Sequence, residues 1–212
     1  YLDDILKLVV TVTAEVMGSK ICSLMLIDEQ THELQVRATQ SVSEAYNKKP
    51  HIKLGQGIAG KVAQDAKPMT ILNVQKDPLY LNRELAGKEK LCSLLCVPLV
   101  FKGEVIGVLN CYTSTVHTFT KDEINMLKTV ANQSAVIIEN FRLVVESRVI
   151  REELESRKAI ERAKGILMKQ QHLSEDQAYK LIQKYSMDNR KNMREISEAI
   201  ILTQDMKSSL TK

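Results

Sequence analysis

Apolar side chains at Leu2, Ile5, Leu6, Val9, Val12, Val16 and Met17 recur at intervals of three and four. That spacing predicts a helix over 2–17, ended by Gly18. Ile21–Ile27 and Leu34–Thr39 read as two strands around the polar turn Asp28–Thr31, a hairpin. Leu54-Gly-Gln-Gly-Ile-Ala-Gly60 then reads as a glycine loop opening a short helix through Ala66. Met69–Val74 is a short strand, and Asp77-Pro78 starts a turn or helix. Cys92–Phe101 and Glu104–Tyr112 form a second hairpin around Lys102-Gly103.

From Thr120 the pattern changes. Thr120-Lys-Asp-Glu123 is a capping box, and no breaker follows before Gly165. Ile124, Leu127, Ala131, Ser134, Ile138, Phe141 and Val145 alternate three and four apart, a heptad seam that fades over 146–155. A helix from 121 to 170 would be roughly 75 Å long, too long to bury itself on a small domain. A parallel homodimer is the simplest cover, with Leu127, Ala131, Ser134, Ile138, Phe141 and Val145 as its seam; two or three shorter helices are the other reading. Ser174-Glu-Asp-Gln177 caps another helix, striped by Ala178, Leu181, Ile182 and Tyr185. Ser186–Lys191 reads as a polar turn. Met193, Ile196, Ala199 and Ile200 stripe a last helix. With Ile160, Ala163 and Leu167 they make a small three-helix bundle.

Composition sharpens this division. Seven of the eight glycines and all four prolines precede residue 110, so mixed α/β structure gives way to helix alone. Residues 1–140 carry 15 Lys+Arg against 15 Asp+Glu, and residues 141–212 carry 15 against 11. The whole excess of +4 thus lies in the last third, which suits an anionic partner there, although a solvated helical face would look the same. The longest apolar run, Leu94–Phe101, falls short of a membrane span. The chain begins at Tyr1 without Met, so a natural N-terminus is expected to precede it. Cys22, Cys92, Cys96 and Cys111 lie inside apolar strands with no zinc-type spacing, as buried small side chains in a reducing cytosol would.

Catalytic patterns are missing from the sequence. Gly55-Gln-Gly57-Ile-Ala-Gly60 matches G-x-G-x-x-G in letters, but antiparallel hairpins flank it where a dinucleotide site needs a βαβ unit. Its simpler role is to let a helix start close to a sheet. His32, His51, His117 and His172 are isolated in polar segments. No nucleophile elbow, zincin helix or P-loop is present. The reading is a protein that is not an enzyme and uses no cofactor or metal.

The basic residues of the last third are patterned. Lys158, Arg162 and Lys169 share one helical face, and Arg157 and Lys164 another. Gly165 is about 1 kcal/mol worse than Ala in a helix interior, so stability alone does not ask for it. A glycine there lets another backbone approach, whether a packed helix or a phosphate chain. Arg190-Lys191 adds charge at the following turn.

With these residues in view, 150–206 resembles the ANTAR domain of transcription antitermination regulators. The matching residues are Ser156-Arg157, Ile160-Glu-Arg-Ala-Lys-Gly-Ile-Leu-Met168, Ser174-Glu175, Ala178-Tyr179, Leu181, Ser186-Met187, Asn189 and Ile196-Ser-Glu-Ala-Ile200. Ser197 stands where that family often has a small apolar residue. The resemblance implies a dimer that binds mRNA stem-loops and keeps a terminator from forming. Carried over by position, it places Arg157, Arg162, Lys164, Gly165, Lys169, Arg190 and Lys191 at or near RNA. It leaves Ala163, Ile166, Leu167 and Met168 in the core, with Tyr185 buried and Tyr179 a stacking candidate.

Residues 1–140 resemble a GAF domain. Here the match rests on Leu54–Gly60, Pro68, Ile71-Leu-Asn-Val74, Asp77-Pro78, Val97-Pro-Leu99, Gly103 and Val105-Ile-Gly-Val-Leu109. The resemblance implies an α+β domain, an antiparallel sheet flanked by helices, that senses a small molecule or redox signal. A pocket near Ile58, Ile71, Tyr80, Cys96 and Asn110 is expected. Phe119-Thr-Lys-Asp-Glu123 is one spacer short of the pattern of that family's cyclic-nucleotide binders, and no chromophore-attachment motif appears.

The organisation expected is a GAF-like sensor over 1–140, a connecting coiled-coil helix over 121–156 and an ANTAR-like bundle over 150–212. The function expected is a cytoplasmic, bacterial, signal-responsive antiterminator. Its partners would be mRNA stem-loops, a second copy and an unknown effector, with no membrane. The alternatives are a thiol redox sensor or methionine-sulfoxide-reductase-like enzyme using Cys92, Cys96 and Cys111, a dimeric scaffold without RNA binding, and a duplex-DNA binder.

Overall fold

The structure is a computed structural model describing residues 2–41, 43–47 and 49–210; Tyr1, Val42, Lys48, Thr211 and Lys212 lie outside the described residues. The chain divides into two compact units, Tyr1–Phe141 and Arg142–Lys212. The first unit begins with α1 (Leu2–Val16), then β1 (Ile21–Ile27), β2 (Glu33–Thr39), α2 (Glu44–Asn47), β3 (Ile52–Lys53) and α3 (Gly57–Asp65). β4 (Met69–Ile71), α4 (Arg83–Lys88), β5 (Leu94–Phe101) and β6 (Glu104–Tyr112) follow. Helix α5 (Lys121–Gln171) runs on into the second unit, which α6 (Glu175–Asn189) and α7 (Met193–Leu210) complete.

The six strands make one sheet in the order β3-β2-β1-β6-β5-β4, each neighbouring pair antiparallel. The central strands are buried on both faces, and their side chains alternate between two cores. Met25, Leu94, Cys96, Val108 and Tyr112 meet α3 and the 74–91 segment on one face. Leu24, Leu95, Val97, Leu109 and Cys111 meet α1 and α5 on the other. This is the α+β architecture expected from the sequence.

The heptad seam is covered from within. Leu127, Ala131, Ser134 and Ile138 are buried against the sheet of their own chain, so they hold α5 to that sheet and face no second copy. Phe141 is half-buried and Val145 exposed. A regular three-four stripe seats a helix on a sheet as well as on another helix. A second stripe remains outside: Met126 and Ile137 are exposed on α5, as are Leu8, Val12 and Val16 on α1.

The glycine loop does what its letters suggested as the simpler role. Gly57 has φ +63°, and a Cβ at Gly60 would lie 2.3 Å from the Lys53 carbonyl oxygen, so only glycine lets α3 start against β3. Two short elements, α2 and β3, have no counterpart in the periodicity. The segment read as a polar turn from Ser186 is helical to Asn189, and the chain turns at Arg190.

Candidate functional site

In the second unit, the end of α5 packs with α6 and α7 around Ala163, Leu167, Ala178 and Ile182. Ser174 caps α6: its hydroxyl accepts from the Gln177 N–H while the Gln177 side chain accepts from the Ser174 N–H. Arg190 ends that helix in the left-handed conformation, its N–H donating to Met187 O. Ser197 is fully buried and donates to Met193 O at 2.7 Å, which explains a hydroxyl inside an apolar face.

Lys158, Arg162, Gly165 and Lys169 lie four, three and four residues apart on α5, so they stack along one side of the helix. The three basic residues are exposed. Arg162 Nη2 lies 3.0 and 3.2 Å from the two Asp205 carboxylate oxygens of α7, which holds the guanidinium in place. Nothing lies within 4 Å of where a Gly165 Cβ would stand. The described residues of the chain therefore do not use the gap that glycine leaves. Arg157 is exposed on a neighbouring groove that it shares with Leu154, Ile160 and Tyr179. Arg190 and Lys191 are exposed at the junction of α6 and α7.

Lys164 differs from the other basic residues. It is only 7% exposed, and its ammonium sits 2.8 Å from Glu161 Oε1 and 2.7 Å from Glu175 Oε1. Both carboxylates hold the lysine proton more tightly than usual, and the lysine in turn holds Glu175 below the usual carboxylate range. The expected RNA contact is thus an internal strut between α5 and the first turn of α6. Two core expectations also change: Met168 and Tyr185 are exposed, leaving Tyr185 beside Tyr179 as a second exposed aromatic of this unit.

In the first unit a cavity of about 30 Å³ lies between the sheet and the α3 side. Ile58, Tyr80 and Asn110 line it, as expected; Ile71 and Cys96 belong to the same core but not to the cavity wall. Lys49, which the sequence did not single out, also lines it. Its Nζ stands 3.4 Å from the centre of the Tyr46 ring and 5.5 Å from that of Tyr112. Tyr46 is fully buried and donates to Ser23 Oγ at 3.1 Å, while Tyr80 donates to the Tyr112 hydroxyl oxygen at 3.3 Å.

The four cysteines are buried, as expected, and do not assemble into the trio that the thiol alternative needs. Cys96 faces the cavity-side core and Cys111 the α1/α5 core, on opposite faces of the sheet. Cys111 instead sits directly across from Cys22, their Sγ atoms 2.7 Å apart. The hydrogen bond with the Cys111 thiol, and then burial, push Cys22 far above the ordinary thiol range, the reverse of a reactive thiolate. Among the described residues no group of three or more His, Cys, Asp or Glu could hold a metal ion, and no helix is long and apolar enough to cross a membrane.

Comparison with known proteins divides the chain the same way. A family model for the GAF domain matches residues 2–139, and one for the ANTAR domain matches residues 148–201. The methyl sulfide methyltransferase-associated sensor of Methanosarcina acetivorans is 28% identical over 146 residues, 66% of this chain and 15% of that protein. The transcriptional regulatory protein PdtaR of Mycobacterium tuberculosis is 40% identical over 58 residues, 27% of this chain and 28% of that protein. Among solved structures, the GAF domain of a phosphoenolpyruvate-protein phosphotransferase from Coxiella burnetii gives a TM-score of 0.63 at 28% identity, over 69% of this chain and 87% of that one. The chain thus spans 15% of the first relative's length and 28% of the second's.

Proposed function

This chain belongs to the GAF domain family and carries an ANTAR domain behind it, and from that premise we propose that it is a signal-responsive regulator whose second unit binds RNA stem-loops. The observation that carries this reading is the Lys158–Arg162–Gly165–Lys169 side of α5. Three exposed cations flank a position where a second backbone can come closer than any side chain would allow. Cations on a rigid helix suit phosphate contacts. Arg157, Arg190 and Lys191 extend the basic surface, Tyr179 and Tyr185 offer rings to unstacked bases, and Lys164 positions α6 without touching RNA. Among the matched relatives one is named a sensor and one a transcriptional regulatory protein, which fits a regulator more closely than an enzyme. Such a protein acts where nascent RNA is, in the cytoplasm.

The regulator would work as a homodimer. Leu8, Val12 and Val16 of α1 and Met126 and Ile137 of α5 supply the apolar face, in place of the seam read from the sequence. An effector in the first unit would shift the balance between two arrangements of that pair.

The test is a gel-shift titration of the protein against an RNA of two tandem stem-loops and a scrambled control. Specific binding is expected, with Lys158→Ala/Arg162→Ala weakening it roughly a hundredfold and making its salt dependence shallower by about two phosphate contacts. Equal binding of both RNAs, or no loss in the variant, refutes the reading.

A further inference from the structure

The cavity of the first unit has a definite chemistry. No Asp or Glu lines it, and its polar lining residues are Ser23, Lys49, Tyr80, Asn82, Asn110 and Tyr112. Lys49 has no ion pair among the described residues, only the faces of two tyrosine rings. Asn110 is 2% exposed, and its amide makes no hydrogen bond with any described residue. An amide at a cavity wall can meet a ligand atom as donor or as acceptor. Lys49 and Asn110 both line this space of about 30 Å³, which suits an acceptor of only a few heavy atoms. Met25 and Ile58 leave the rest of the wall apolar.

We propose that this cavity is the effector site of the sensor and takes a small monocarboxylate, one oxygen accepting from the Lys49 ammonium and the other from the Asn110 amide, with a short alkyl group against Met25 and Ile58. This rests on the reading of the first unit as a sensor. A carboxylate can accept from both side chains at once and neutralises the half-buried cation, which no neutral ligand of that size does. The lysine also makes binding proton-dependent. Burial lowers its pKa to about 7, against the opposing pull of Glu89. The other titratable groups beside it, Tyr46, Tyr80 and Tyr112, are held neutral by the same burial. The carboxylate is bound by charged Lys49 and released as the pH rises above that value.

The protein has no tryptophan, and two of its six tyrosines, Tyr80 and Tyr112, line the cavity, so its own tyrosine emission reports occupancy. The full chain would be titrated with sodium acetate and sodium propionate at constant ionic strength, with acetamide as the neutral and ethylammonium as the cationic control. The result expected is saturable binding of the carboxylates, weaker by about tenfold or more for both controls and for Lys49→Met, and by about fivefold for Asn110→Ala. Carboxylate affinity of the unaltered protein should also fall from pH 6 to pH 8, which needs no variant to fold. No saturable carboxylate response, equal binding of acetamide, or a flat pH profile overturns the proposal. Tandem stem-loop binding, measured on the same preparation, separates the two readings. RNA binding without a carboxylate response removes this effector and keeps the regulator; a carboxylate response without RNA binding removes the regulator and keeps the site.

Discussion

Lys164 on α5 reaches Glu175 in the first turn of α6 at 2.7 Å, tying the two helices of the bundle together through one ion pair. Glu175 also sits at a helix N-terminus, where negative charge is favoured. Lys164→Ala should lower the melting temperature by a few degrees, and Lys164→Met by less, because the buried stem is kept. The pair has two pH limits. Glu175, held below its ordinary 4.5, stabilises the fold above that value and loses its contribution as pH falls through its folded value. Lys164, held above its ordinary 10.5, contributes below that value and loses it as pH climbs through its folded one. Thermal melts of wild type and Lys164→Met should therefore draw closer as pH falls below 4.5 and again as it climbs above 10.5.

Gly165→Ala separates stability from binding. The new methyl enters open space, so the free protein should gain about 1 kcal/mol of helix stability and melt roughly 2–4 °C higher. In the proposed interface the same methyl would fill the gap beside the phosphate chain, and RNA affinity should drop roughly tenfold, about 1.4 kcal/mol. A variant that melts higher and binds RNA as well as wild type would remove Gly165 from the interface.

Adjacent isoleucines on α5 should behave oppositely. Ile137 is 43% exposed and Ile138 is 4% exposed. Ile137→Asp should leave the fold intact and shift the protein to a monomer in size-exclusion chromatography with light scattering. Ile138→Ala should leave the assembly state alone and destabilise the fold by about 2–5 kcal/mol through the cavity it creates.

Cys22 and Cys111 should be inert in the native state. Both are fully buried across β1 and β6, so a thiol reagent should modify them only at the rate of unfolding, as mass spectrometry of reagent-treated protein would record. Replacing Cys92, Cys96 and Cys111 by Ala should leave RNA binding unchanged, which a thiol-based function would not allow.

Lys49 should be a stability liability that eases with alkali. Its folded pKa of about 7 lies below the ordinary 10.5, so the unfolded chain binds the extra proton between those values and stability rises with pH across that window. Lys49→Met should therefore melt higher than wild type at pH 6, by a margin that shrinks towards pH 10.

How much of this was legible in the sequence depends on what periodicity can carry. The stripe Leu127–Ala131–Ser134–Ile138 was correct as a stripe, but spacing says which residues share a side and not what covers them; here the cover is the chain's own sheet. The stripe through Met126 and Ile137 was masked because apolar residues lie on more than one side of α5. Lys164 reads as one more basic residue because its partner Glu175 belongs to the next helix, beyond any intrahelical spacing rule. The cavity was half legible. Ile58, Tyr80 and Asn110 sit near motifs that resemble a known family, while Tyr46 and Lys49 flank a four-residue helix with no period to reveal it. Both capping boxes, Thr120–Glu123 and Ser174–Gln177, appear as written, since a cap is a local hydrogen-bond pattern between residues three apart.

The small volume around Lys49 and Asn110 bears on timing. The wall of this small space includes Tyr80 and Tyr112, and Tyr112 packs edge-on against the wholly buried Tyr46, so a ligand would enter or leave as those rings give way. Exchange is then paced by how often those rings unpack rather than by how often the ligand collides, and aromatic unpacking in a filled core is slow beside diffusion. With the effector proposed above, the occupied state would outlast brief dips in supply, so the protein would integrate its signal over the dwell of one molecule.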